Sequence, residues 1–143
     1  KLDALMASAR IFFTVGSLDY LKMGGRIGKV ATAATGKLGV KPVIVMKDGD
    51  IGLGGIGRNR NKLKASVLQV AKKYLDENGK DNFIVSVGYG YDKEEGFQFM
   101  NEVESTLDVK LDSETNVAIG IVSAVHTGPY PIGLGVIRKY ETL

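Results

Sequence analysis

Residues 40–57, VKPVIVMKDGDIGLGGIG, limit the fold more than any other stretch of this chain. Two apolar runs, PVIVM and IGLGGI, flank Lys47-Asp48-Gly49-Asp50, and an Asp-Gly pair favours the tight turn whose central residues take positive φ. A hairpin is therefore expected here, with glycines at 52, 54, 55 and 57 marking a bulged or sharply twisted second strand. A hairpin in mid-chain is incompatible with the strict strand–helix alternation of a doubly wound parallel sheet.

The rest of the chain is read around that hairpin. Residues 1–10 carry Leu2, Leu5, Met6 and Ala9 at helical spacing with no N-cap before them, so they read as the tail of a helix. IFFTV (11–15) reads as a strand, and Ser17 opens a short helix that Gly24 or Gly25 ends. The small residues of 26–39 suggest a second short helix. Residues 60–78 form the clearest helix, with Leu63, Val67, Leu68, Ala71, Tyr74 and Leu75 on one stripe. A strand over 82–91 is followed by a helix over 92–107 capped by Asp92, then strands over 116–125 and 132–140. The order α-β-α-α-β-β-α-β-α-β-β predicts one α/β domain of the α+β type: a mixed, mostly antiparallel sheet with helices packed on it.

The chemistry-bearing residues are few. With no cysteine and one histidine, the usual zinc and iron–sulfur sites are excluded. GLGGIG (52–57) has neither the spacing of a dinucleotide loop nor the Lys-Ser/Thr of a P-loop. Glu94, Glu95, Glu102 and Glu104 read as solvated surface charges. RNRNKLK (58–64) places Arg58, Arg60, Lys62 and Lys64 at a helix start, where cations oppose the helix dipole. Either an anionic partner or a solubilising basic turn would account for them. Arg26, after a Gly-Gly break and before a helix, offers an anion site. His126 is placed at the end of a buried strand, three residues from Ser123, where the two side chains would point to opposite faces and form no triad. A net charge of +3 gives little support to nucleic-acid binding. No apolar run is long enough to span a bilayer, and with no visible signal peptide the cytoplasm is the default.

Four segments together resemble the DegV family of long-chain fatty-acid-binding proteins: LDYLKMGGRIGKVA (18–31), KPVIVMKDGDI (41–51), GRNRNKL (57–63) and AVHTGPYPIGLGVI (124–137). The resemblance covers nearly the whole chain but only the C-terminal half of the family's length. It implies a missing N-terminal domain and a fatty acid lying between the two domains, which accords with a chain that reads as beginning inside a helix. It further implies that His126, Thr127, Arg26, Ile27 and Gly25 bind the fatty acid. Arg58 and Arg60 would face a partner fatty-acid kinase that phosphorylates the bound acid for phospholipid synthesis. Gly28 and Tyr130 depart from the family's usual residues. No cofactor, metal, nucleic acid or stable membrane insertion is implied. The alternatives left open are an acyl or phosphoryl transferase using His126 with Arg58 or Arg60, and a basic nucleic-acid-binding domain. Without its other half, the domain is expected to expose apolar surface and to bind weakly or self-associate.

Overall fold

The computed structural model of the chain describes residues 1–31 and 39–143. The elements are α1 (Leu2–Ser8), β1 (Arg10–Thr14), α2 (Asp19–Met23), β2 (Lys41–Lys47), β3 (Asp50–Gly57), α3 (Arg60–Asn78), β4 (Phe83–Tyr89), α4 (Lys93–Leu107), β5 (Val117–Ala118), α5 (Ile121–Thr127) and β6 (Ile132–Arg138). The six strands form one sheet in the order β3-β2-β1-β6-β4-β5. All neighbours are antiparallel except β4 and β5, which are parallel. This is the mixed, mostly antiparallel sheet expected. Among the described residues no helix is long and apolar enough to cross a membrane.

The central hairpin is as read. Asp48 and Gly49 take φ of 52° and 80°, the two positive values that the turn requires. Val43 pairs with Gly55 and Ile44 with Leu53, which leaves Gly54 as the extra, bulged residue. A Cβ on Gly54 would come within 2.5 Å of the Val45 side chain, so the bulge closes only on a glycine. The second helix expected over 26–39 lies largely in residues 32–38, outside the described residues; a 3₁₀ turn at Gly28–Val30 precedes them.

Strand alternation divides the sheet cleanly. Phe12, Val43, Val85, Val87, Leu134 and Val136 point to one face and form the main core with Leu63, Val67, Leu75, Phe99 and Val103 of α3 and α4. Phe13, Val15 and Ile44 point to the other face, where Leu21 and Val30 cover them in a smaller second core. Among the described residues that second cover is partial.

The strand expected over 116–125 is corrected. Gly120 breaks the run: Val117–Ala118 make a two-residue strand, and Ile121–Thr127 form α5 instead. A β-branched apolar run normally signals a buried strand. Here Ile121 and Val122 are 80% and 81% exposed, so burial does not select the extended form.

Two acidic residues read as solvated are structural. Glu95 takes the Arg60 guanidinium in a two-pronged ion pair, Nε and Nη2 each 2.7 Å from a carboxylate oxygen, with both side chains largely buried. Glu102 lies 3.6 Å from Nζ of Lys64, itself buried. These contacts lock α3 to α4. Replacing Glu95 alone by leucine strands a guanidinium that is mostly out of water and is expected to cost about 1–3 kcal/mol. Arg60→Met with Glu95→Leu should recover most of that loss, a non-additivity read from urea unfolding of the two single variants and the double variant.

Candidate functional site

The LDYLKMGGR and HTG segments, remote in sequence, meet where α2 packs on α5. Each supplies a ring and a glycine to the other. The imidazole of His126 lies directly against Gly24, so close that a Cβ at 24 would collide with Nδ1. The ring of Tyr20 lies against Gly128, where a Cβ would meet Cδ2 at 2.5 Å. Gly128 also has φ of 75°, which closes α5 in a conformation open to glycine. Larger residues at 24 and 128 would hold the helices apart.

Gly24 is a meeting point for two further groups. Gly25 turns the chain with φ of 68°, and the Arg26 N–H then donates to the carbonyl of Leu21. The Arg26 guanidinium folds back and donates through Nη1 to the Gly24 carbonyl at 2.7 Å. Arg26 and His126 are thereby both held against one glycine, Arg26 exposed and His126 half-buried. Nδ1 of His126 is buried and has no hydrogen-bond partner among the described residues. Ile27 packs against the second core. The Thr127 hydroxyl donates to the carbonyl of Ser123, one helical turn earlier.

Beside this junction, on the partly covered sheet face, runs an apolar groove of about 300 Å³. Its floor is made of absent side chains: Gly133 and Gly135 of β6 and Gly88 of β4. Gly133 cannot be larger, because a Cβ there would press within 2.6 Å of the Phe13 backbone. At Gly135 the nearest atoms to a new Cβ are 3.9 and 4.0 Å away, so the space above it is real. Ile11 and Phe13 stand toward its β1 end, Val117 and Ile119 at its β5 end, and Ser123 and Thr127 of α5 bring hydroxyls to its lining. This is the composition of a small-molecule site: apolar walls with a few polar groups at one end.

The residues predicted for ligand and partner fall at one end of the sheet, after the C-terminal ends of β1, β3 and β5. His126, Thr127, Arg26, Gly25 and Ile27 are brought together at the α2–α5 junction. Arg58 is exposed at the start of α3. Arg60 is not free for a partner, because Glu95 holds it. His126 sits in the last turn of a helix rather than at the end of a strand, so the reason it forms no triad changes. Ser123 is on the same helix, but Nδ1 of His126 faces Gly24 and accepts or donates no hydrogen bond among the described residues. Among the described residues no cluster of three or more His, Cys, Asp or Glu side chains has the makings of a metal site.

The groove itself escaped the sequence reading. IGLGV (132–136) was legible as a strand, yet its alternation of large residues with glycine is also the signature of a strand with one vacant face.

The two glycines of the GG pair separate by experiment. At Gly24 the backbone suits any residue, so Gly24→Ala acts through the imidazole alone. It is expected to shift the single histidine ring resonance in a ¹H–¹³C spectrum. Gly25→Ala has open space for its Cβ but an unfavourable φ; it should cost about 1–2 kcal/mol in unfolding and leave that resonance in place.

Residues 1–139 match a family described as "uncharacterised protein, DegV family". A DegV domain-containing protein of Clostridium perfringens is 34% identical over 129 residues, covering 90% of this chain and 44% of its own length. One from Deinococcus radiodurans is 29% identical over 136 residues, covering 93% and 46%. The crystal structure of a stearic-acid-binding protein from Eubacterium ventriosum is 96% identical, with a TM-score of 0.96 over 99% of this chain and 48% of that one. A DegV family protein from Thermus thermophilus, described for its fatty-acid binding, is 26% identical with a TM-score of 0.77, covering 92% and 46%. The chain thus spans about half the length of the relatives it matches. With residues 1–139 matched by the family model, the chain belongs to the DegV family.

Proposed function

We propose that this chain is the lipid-holding domain of a two-domain protein that binds a long-chain fatty acid and carries it without transforming it. The alkyl tail lies in the groove floored by Gly88, Gly133 and Gly135. The carboxylate sits at the α2–α5 junction, where His126 and Arg26 supply donors and the Thr127 hydroxyl supplies another by turning from the Ser123 carbonyl, with Gly25 and Ile27 shaping the turn beside it. The observation that carries this reading is an apolar groove to which α5 brings the hydroxyls of Ser123 and Thr127, the latter next in sequence to the chain's single histidine. The near-identical stearic-acid-binding relative supports the same ligand class.

The energetics suit a carrier. Each buried methylene contributes about 0.8 kcal/mol, so roughly fifteen of them supply on the order of 12 kcal/mol before the costs of ordering and association. Affinity then comes from the tail, and the head group needs only a few donors. No nucleophile is called for.

The second domain belongs over the α2–α5 end. Met23, Ile121, Val122 and Val125 are exposed there, an apolar patch of the kind that a partner surface covers. A fatty acid held there lies in the cleft between domains. Arg58, exposed at the same end, is the cation available to a fatty-acid kinase and the phosphate it transfers; Arg60 serves the fold.

The test is extraction of lipid from the full-length protein followed by mass spectrometry, with titration by stearate. Co-purified long-chain acid and saturable binding are expected. Gly135→Val, which fills the groove with a residue that strands favour, should lower stearate affinity at least tenfold while the fold persists. His126→Ala should weaken binding by a smaller factor of about three to ten, since it removes one donor and none of the tail contacts. A protein that neither retains nor binds a fatty acid would refute the reading. Acyl-phosphate turnover by the purified protein without a kinase would favour a transferase instead.

A further inference from the structure

We infer that Ile11 and Met46 form the end wall of the groove and set the length of alkyl chain the protein prefers. The inference rests on the fatty-acid reading above and concerns how that site measures its ligand. The groove does not run along a strand. Its lining passes from Val117 on β5 over Gly88 on β4, Gly135 on β6 and Ile11 on β1 to Met46 on β2, crossing the sheet transversely. Four strand spacings of about 4.8 Å make this path roughly 19 Å long. An extended alkyl chain advances roughly 1.25 Å per carbon, from C–C bonds of about 1.5 Å at the tetrahedral angle. The path therefore holds about sixteen carbons.

The far end is closed by a particular pair. Ile11 and Met46 face each other directly across β1 and β2, on the groove side of the sheet. Both also line a second cavity of about 420 Å³, which Met6 and Ala9 continue on the far side. The two spaces thus share one partition, made of two side chains. Ile11 is β-branched and stiff, whereas Met46 is unbranched with three rotatable bonds and packs adaptably. Chains that fit the path stop at this partition. Longer chains must displace Met46 to enter the second cavity, and that displacement offsets what the added methylenes contribute.

The inference is tested with full-length protein carrying Met46→Ala, Ile11→Ala with Met46→Ala, or Met46→Phe. Each is loaded from an equimolar mixture of saturated acids from lauric to arachidic, separated from free lipid, and its bound acids are quantified by mass spectrometry. The alanine variants are expected to move the preferred length upward and to raise arachidate relative to palmitate roughly tenfold, about fourfold per extra methylene less the cost of ordering it. Met46→Phe, which thickens the wall, should move the preference downward. An unchanged length profile in the alanine and phenylalanine variants, or an equal loss at every length, overturns the end-wall assignment and leaves the fatty-acid reading standing. Wild-type protein that takes up none of the acids overturns both.

Discussion

The structure turns on β6, a strand in the middle of the sheet whose two faces are unequal. Ile132, Leu134 and Val136 are buried against α3 and α4, while Gly133 and Gly135, on the opposite face, present no side chain at all. One face anchors the main core; the other leaves a channel. Because β6 pairs with both β1 and β4, the channel continues across those neighbours, over Gly88 of β4 on one side and toward Ile11 of β1 on the other. A strand with large residues on both faces would pack into an ordinary two-sided core and leave no groove. The vacancy costs some strand stability, since glycine loses more backbone freedom than other residues and contributes no packing. The well-filled opposite face offsets that loss.

The same economy of small residues builds the polar end. Rings of His126 and Tyr20 each settle on a glycine of the other segment, so two short helices of five and seven residues gain a contact that neither would hold alone. The arrangement also decides which charges are available. Arg60 and Lys64 join α3 to α4 through Glu95 and Glu102, whereas Arg26 donates to the backbone of its own turn and remains at the surface. Of the basic residues that the sequence groups together, some serve the fold and some face outward. The division follows from which carboxylates lie across from them.

What was legible in the sequence was local. Asp48-Gly49, the stripe on α3 and the Asp92 cap each declare their conformation through residues next to them, and each formed as read. The strand expected over 116–125 failed because periodicity assumes that Ile and Val are buried, and on α5 they are not. The fate of Arg60 depends on a carboxylate 35 residues away. The setting of His126 depends on Gly24, near the other end of the chain. No local rule reaches either. The groove was hidden for a different reason: glycine in a strand reads as punctuation or a bulge, as it is at Gly54, and only the sheet order reveals that Gly88, Gly133 and Gly135 share a face.

Separation of affinity from chemistry explains why so few polar groups suffice. A ligand held by its tail is bound through apolar contact along the whole groove, and that energy does not depend on what happens at the head. The head-group end can therefore stay near the surface, with His126 half-buried and Arg26 exposed, without weakening the hold. A carboxylate so placed can be reached by a second protein while the tail stays protected from water. A buried catalytic site would need the opposite arrangement, with water excluded from the reacting atoms and a base oriented by a third group. The imidazole of His126, packed on Gly24 at a junction open to solvent, fits the presentation proposed above.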